Sequence, residues 1–425
     1  MDVHTMQELK QFQAMPLPVK IAMTQTRIRA WVDYYGKDGV YVSFSCGKDS
    51  TVLLHLVREL YPDIPAVFVD TGLEYPEIRE FVKTFDNVTW VKPKLTFRQV
   101  IDKYGYPFIS KEVSNCVSGA RKYLVALQTH ENVEPSDDVK PNIPNAVYMA
   151  DILGVDRREN KLNPDFLKLK SGDITNYRVL RLLGELKNKE GSKSKFNQTK
   201  YAFFLNAPFE ISDKCCNVMK KAPAHTYEKE THRFPILATM TEESNLRRQK
   251  WLQEGCNAFE CTHPHSKPMS FWTEQDVLKY IKINNIPICS VYGDIVEDVG
   301  DDLQGQIRLF DMPTGTTVKK SNSNIKLPTD NPLLKTTGCT RTGCMFCGFG
   351  CHLEKEGDGR FERMKITHPM VYDYLMRPWE EEYEEKIPDK RFKCGYRIIK
   401  RKRQGLNYKE VIDWINENGN MHIRY

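Results

Sequence analysis

Ser43-Phe44-Ser45-Cys46-Gly47-Lys48-Asp49-Ser50-Thr51 stands between an apolar run, Val40-Tyr41-Val42, and a helix-periodic run carrying Val52, Leu53, Leu56, Val57 and Leu60. The pattern predicts a strand, a tight polar loop and then a helix. Such a junction gathers backbone N–H groups, hydroxyls and one lysine at a helix start, where unpaired N–H groups and the helix dipole favour an anion. The Walker phosphate loop is excluded, because that motif wants Ser or Thr straight after the lysine and a glycine five positions before Gly-Lys. Here Asp49 follows Lys48 and Val42 stands at the earlier position.

Outward from the loop the alternation continues. Residues 66–69 form a second apolar run that ends in Asp70-Thr71-Gly72, and residues 88–91 form a third. Between them, residues 76–85 read as a helix with proline near its start. Strands alternating with helices predict a doubly wound, mostly parallel α/β sheet, whose ligands collect beyond the carboxyl ends of the strands. The loop and Asp70-Thr71-Gly72 both lie at such ends. Residues 1–36 are expected to form a helical segment, and residues 37–292 the α/β domain, with an insertion at about 131–207. A loop-rich segment, 293–337, precedes a cysteine-rich and helical module, 338–425. Helices are expected at 51–60, 273–284, 367–385 and 408–418.

Composition sets broad limits. Across 425 residues, hydrophobic content of 40% and charged content of 28% suit a globular chain with a large core. No apolar run has the length of a membrane span, so no membrane partner is expected and a cytoplasmic setting is. A net charge of +6 does not by itself demand a nucleic-acid partner, although Lys400-Arg401-Lys402-Arg403 is a compact basic cluster. Twelve cysteines in such a chain point to metal rather than to disulfides.

Cys339, Cys344, Cys347 and Cys351 are interleaved with Gly343, Gly348 and Gly350, which allow the tight turns that bring thiolates onto one centre. These four alone could hold an iron–sulfur cluster, since Cys339-x4-Cys344-x2-Cys347 has plant-ferredoxin spacing, or a structural zinc. Cys215-Cys216 lies far upstream.

Several of these stretches, in order, resemble one family. Ser43–Thr51 resembles the PP-loop, Ser-x-Ser-Gly-Gly-Lys-Asp-Ser/Thr, with Cys46 in place of the first glycine. Val67–Gly72 followed by Glu74-Tyr75-Pro76-Glu77, Glu243-Ser244 with Arg247, and Trp272-Thr273-Glu274-Gln275-Asp276-Val277 resemble further motifs. The family is the phosphoadenosine phosphosulfate (PAPS) reductases of the PP-loop, adenine nucleotide alpha hydrolase-like superfamily, in the iron–sulfur-containing branch. The resemblance implies that Ser43, Ser45, Cys46, Gly47, Lys48, Asp49, Ser50 and Thr51 cradle an adenine nucleotide (ATP, an adenylyl sulfate or PAPS). It implies that Asp70, Thr71 and Gly72 face its ribose or a Mg2+ ion, and that Lys48, Asp49 and Arg247 serve catalysis. Arg247 suits a second anionic group, or else an ion pair with Glu243 one turn earlier. The resemblance also places a [4Fe–4S] cluster on Cys215, Cys216, Cys344 and Cys347.

Cys394, in Lys393-Cys394-Gly395, stands near where the assimilatory members carry a nucleophilic cysteine in Glu-Cys-Gly-x-His. Lysine replaces the glutamate here, and the chain runs on for about thirty residues. The expected activity is sulfonucleotide reduction with a thioredoxin-like reductant. The alternatives are ATP-dependent adenylation with sulfur transfer to a nucleic acid, fed by a cysteine desulfurase, and a nucleotide-sensing regulator without turnover.

Overall fold

Short runs of β-branched and aromatic residues, apolar on both faces, become the central strands of a parallel sheet, because helices cover both sides. A computed structural model describes residues 4–129, 155–156, 161–162, 176–298, 332–357, 359–388, 391 and 396–425. The chain divides into two units, Met1–Pro93 with Lys221–Cys344, and Lys94–Lys220 with Met345–Tyr425.

The first unit holds strands β1 (Val40–Ser43), β2 (Ala66–Val69), β3 (Val88–Val91), β4 (Phe234–Leu237), β5 (Asn257–Ala258) and β6 (His265–Ser266). They form one sheet in the order β3-β2-β1-β4-β6-β5. All pairings are parallel except β5 with β6. The doubly wound, mostly parallel α/β class expected from the alternation is therefore the one observed. β1 is flanked by β2 on one side and β4 on the other, with Ser43 opposite both Val67 and Leu237. The strand order reverses beside β1, and at such a switch point the loop leaving the strand lines a crevice.

Helices of this unit are α1 (Met6–Ala14), α2 (Leu17–Tyr35), α3 (Lys48–Leu60), α4 (Pro76–Val82), α5 (Ala222–Thr231), α6 (Asn245–Glu254) and α7 (Glu274–Asn284). Trp31, Trp251 and Trp272 are buried in the core they share with the sheet. α2 is locked to α7 by Lys20 Nζ, 2.6 Å from Asp276 Oδ2, and to the residues just before α7 by Trp272 Nε1, which donates to Thr24 Oγ1 at 2.8 Å. α3 starts three residues earlier than the apolar period implies. Gly47 is its N-cap and supplies no side-chain cap, so Lys48, Asp49 and Ser50 form the first helical turn.

Two short antiparallel strands, β7 (Ile295–Glu297) and β8 (Leu334–Thr336), complete the unit. Gln275 on α7 grips β8 at both polar groups of Leu334, donating to its carbonyl at 2.9 Å and accepting from its N–H at 2.8 Å. Beyond β8 the backbone turns in closely. Gly338 N–H donates to Tyr292 O at 2.8 Å and Cys339 N–H to Val291 O at 2.9 Å.

In the second unit, Phe108–Ile109 pairs in parallel with Gly348–Phe349. Fully buried Tyr408 lies among Phe97, Tyr106, Phe108 and Phe361 and donates to Phe346 O at 2.6 Å. Arg121 ties the helix Lys111–Thr129 to the carbonyls of Phe204, Ala207 and Phe209.

The helix expected over 367–385 is not formed as such. A helix spans Pro369–Met376, and Trp379–Pro388 is instead a strand paired antiparallel with Tyr396–Gly405. The register sets Glu381 opposite Arg403, Glu382 opposite Lys402 and Glu384 opposite Lys400. Along that backbone register acidic sequence positions fall opposite basic ones, a pattern that suits strand pairing rather than a helix. The basic cluster at 400–403 is thus matched by an acidic strand.

Candidate functional site

The loop between β1 and α3 carries an unusual backbone. Cys46 has φ 57°, in the left-handed region, and is fully buried. That region costs a non-glycine residue roughly 1–2 kcal/mol, so Cys46 takes up the conformation for which the family pattern has glycine. Burial, and then the neighbouring Cys289 thiol, push its pKa up, so it is a neutral packing group at physiological pH.

The hydroxyls expected to line the loop are turned onto the loop itself. Ser50 Oγ and Thr51 Oγ1 both donate to Gly47 O, at 3.0 and 3.1 Å, and Ser45 Oγ lies 3.1 Å from Ser50 Oγ. Lys48 is buried. Its ammonium donates to Thr340 O at 2.8 Å and lies 3.1 Å from Glu274 Oε1 and 3.8 Å from Asp49 Oδ1. An ammonium has three donors, and Thr340 O, Glu274 and Asp49 are the protein acceptors around this one. The backbone N–H of Lys48 donates to Tyr292 OH at 3.2 Å, and that hydroxyl lies 2.6 Å from Thr342 Oγ1.

Asp49 Oδ1 is buried with no hydrogen-bond partner. Burial holds its carboxyl pKa above the ordinary value, against the opposing pull of Lys48, Arg341 and Arg247. Arg247 and Arg341 share one carboxylate. Arg247 Nη1 contacts Glu243 Oε1, and Arg341 Nη1 lies 3.9 Å from Glu243 Oε2. Met240 N–H donates to the same Oε1 at 3.0 Å, which fixes the carboxylate. Burial, and then the charge of Arg341, hold the Arg247 pKa below its usual value.

At the end of β2, buried Asp70 accepts from Arg79 Nη2 at 3.0 Å and from Gly72 N–H at 3.2 Å. Thr71 is tied through its N–H and hydroxyl to Glu74, at 3.1 and 2.8 Å. Both residues thus have protein partners. Tyr292, Thr340, Arg341 and Thr342 stand at the site without having been singled out from the sequence, and Glu274 was singled out only as part of the Trp272–Val277 motif, with no role at the site. Within that motif the capping pattern Thr273-x-x-Asp276 sets Glu274 at the start of α7.

None of the described cysteines is in a disulfide, and Cys394 lies outside the described residues. Cys215, Cys216, Cys347 and Cys351 belong to the second unit, whereas Cys339 and Cys344 belong to the first. Cys216 acts electrostatically on Cys347, and Cys215, Cys347 and Cys351 act on Tyr408. Burial pushes the Cys351 thiol up to about 12 and Cys347 upward, while the Arg360 guanidinium pulls both the other way. Arg360 also donates to Cys347 O at 2.7 Å. Thiols beside a cation are the right donor type for a thiolate-held metal. Among the described residues, however, no group of three His, Cys, Asp or Glu side chains could hold a metal ion. No helix among them is long and apolar enough to cross a membrane.

Comparison with known proteins bears on the same residues. The family model described as the phosphoadenosine phosphosulfate reductase domain matches residues 39–116 and 173–348. A phosphoadenosine 5'-phosphosulfate reductase of Xylella fastidiosa strain 9a5c is 43% identical over 54 residues, covering 13% of this chain and 23% of that protein. An uncharacterised protein of Methanocaldococcus jannaschii is 37% identical over 73 residues, covering 16% of this chain and 18% of that protein. The chain thus spans less than a quarter of the length of these curated relatives. Among solved structures, a phosphoadenylyl-sulfate reductase from Candida auris, in complex with phosphate, aligns at TM-score 0.31 and 12% identity, covering 68% of this chain and 90% of that one.

Proposed function

The chain belongs to the phosphoadenosine phosphosulfate reductase family, and on that premise we propose that it is an enzyme that binds an adenylyl sulfate at the β1–α3 loop and releases its sulfur as sulfite. The observation that carries this reading is the helix start itself. Lys48 and the first turn of α3 lie at the carboxyl end of β1, where the strand order reverses, and a helix start at such a point suits a nucleotide phosphate.

In this reading Lys48 contributes a point charge to the phosphate-sulfate group, and the loop hydroxyls rotate from Gly47 O towards it. The attacking thiol is Cys394. Its sulfur bonds to the sulfate sulfur, the S–O bond to the phosphate breaks, and the nucleotide leaves. A thioredoxin-like dithiol then attacks the cysteine sulfur, expels sulfite and ends as a disulfide. The [4Fe–4S] cluster that the family resemblance puts on Cys215, Cys216, Cys344 and Cys347 finds no assembled set of ligands among the described residues, and no step of this reading depends on it.

Titration calorimetry of anaerobically purified protein with adenylyl sulfate, PAPS and ATP tests the reading. A sulfonucleotide should bind, Lys48→Ala should weaken it by about tenfold or more, and sulfite should appear with a dithiol reductant. Binding of ATP with pyrophosphate release, and no sulfite from either sulfonucleotide, would overturn it.

A further inference from the structure

We propose that Arg341 and Arg247 form a two-guanidinium subsite for a dianionic phosphoryl group of the bound nucleotide, with Arg341 the residue that makes binding depend on that group. The inference rests on the reading of the β1–α3 loop as the nucleotide site.

The two arginines come from distant segments, Arg247 from the first turn of α6 and Arg341 from the stretch that follows β8. They meet on Glu243, each facing a different carboxylate oxygen. Two guanidinium groups around one two-oxygen anion is the arrangement that recognises a phosphoryl group through paired N–H donors. Here one carboxylate faces two guanidinium groups, and burial, then the charge of Arg341, lowers the pKa of Arg247.

The pair also stands beside the loop. Both guanidinium charges act on Asp49 in the first turn of α3. Asp49 Oδ1 itself has no hydrogen-bond partner. The Arg341 and Arg247 side chains are 56% and 42% exposed, while Glu243 is 16% exposed. The carboxylate is thus the most enclosed of the three groups, and both arginine side chains are partly open to solvent. Lysine at position 341 would supply the charge without the planar fork.

Two sources offer a dianionic phosphoryl group beyond the one at the loop: the terminal phosphate of ATP and the 3'-phosphate of PAPS. The test is calorimetric titration of the full-length protein, its Arg341→Ala and Arg341→Lys variants, and Lys48→Ala. The ligands are two matched pairs, ATP against AMP and PAPS against adenylyl sulfate. In one pair, Arg341→Ala should weaken the phosphoryl-rich member by about tenfold or more and the other by less than about twofold. Arg341→Lys should recover only part of the loss. The pair that responds identifies the source.

Equal weakening of all ligands, or none, overturns the subsite. If Lys48→Ala weakens binding while Arg341→Ala does not, the subsite alone is wrong. If neither variant alters binding, the nucleotide reading of the loop falls with it. A melting temperature for Arg341→Ala within a degree or two of the parent's, as expected for a half-exposed side chain, shows that any loss is not unfolding.

Discussion

The ammonium of Lys48 and the carboxylate of Glu274 lie 3.1 Å apart, and each residue is the first of its helix. A glutamate at a helix start is favoured by the dipole of its own helix, so Glu274 is well placed on α7 whether or not a ligand is bound. For Lys48 the consequence is different. The cation best placed to meet a phosphate is already neutralised by the protein. Around it Lys48, Arg247 and Arg341 face Asp49, Glu243 and Glu274. The site is charge-balanced without a ligand, and an arriving anion must displace a carboxylate or tolerate it.

Glu274→Gln is therefore expected to tighten nucleotide binding by about three- to tenfold, because a like charge facing the ligand is removed while the shape is kept. Titration of parent and variant at the same ionic strength measures this. Weaker binding by the variant would show that Glu274 positions Lys48 for the ligand rather than competing with it.

Cys46 makes a second expectation concrete. Replacement by glycine relieves roughly 1–2 kcal/mol of left-handed strain but gives up a buried side chain worth about 1 kcal/mol and adds unfolded-chain entropy of similar size. Cys46→Gly should thus stay within about 1 kcal/mol of the parent in stability and retain nucleotide binding. Cys46→Val places a β-branched side chain at φ 57° in a fully buried slot and should cost about 2 kcal/mol or more. Urea denaturation of both variants reads the difference, and equal stabilities would mean that the loop relaxes out of the left-handed region.

β1 and β2 were legible because continuous apolar runs bounded by turn residues have few other uses, and the loop was legible because its residue types coincide with helix-end physics. The start of α3 was not. Gly47 caps without a side-chain hydrogen bond, and the apolar period begins only after the first turn. Lys48, Asp49 and Arg247 could be named from local motifs, whereas Tyr292 and Thr340 bond Lys48 from 244 and 292 positions away. No local pattern encodes contacts of that separation; they depend on Gln275 gripping Leu334 and on the backbone approach at Gly338. The run Glu380–Glu385 was misread as helix for the same reason, since the basic strand that pairs with it lies some twenty residues further on.

Asp49 sets a pH dependence whose sign follows from its environment. Burial raises its folded pKa above the unfolded value, so through the carboxylate range the folded state binds more protons than the unfolded one. Stability attributable to this group falls as pH rises through that window and stays lowered above it. Asp49→Asn abolishes the titration. The melting temperature of the variant relative to the parent should therefore climb as pH rises through the carboxylate range and above it, which thermal denaturation in matched buffers can follow. A difference that is flat, or that falls with pH, would mean that Lys48, Arg341 and Arg247 outweigh the burial.

Gly338 is where the segment carrying Arg341 is held to the rest of its unit. A Cβ at this position would lie 2.4 Å from Val291 O and 2.8 Å from the carbonyl carbon of Tyr292. Both are backbone atoms, so neither can swing aside as a side-chain tip could, and the hydrogen bonds from Gly338 and Cys339 to that backbone require the close approach. Gly338→Ala should cost about 2 kcal/mol or more, as overpacking against fixed atoms does. It should also loosen Thr340 from Lys48 and Arg341 from Glu243. The second effect separates local release from general weakening. In the Gly338→Ala background, Arg341→Ala should no longer change nucleotide affinity, giving a coupling energy near the full effect of the single substitution, whereas independent sites would add. If the two substitutions prove additive, Arg341 does not depend on Gly338 for its place, and the anchoring must come from Gln275 and Leu334 alone.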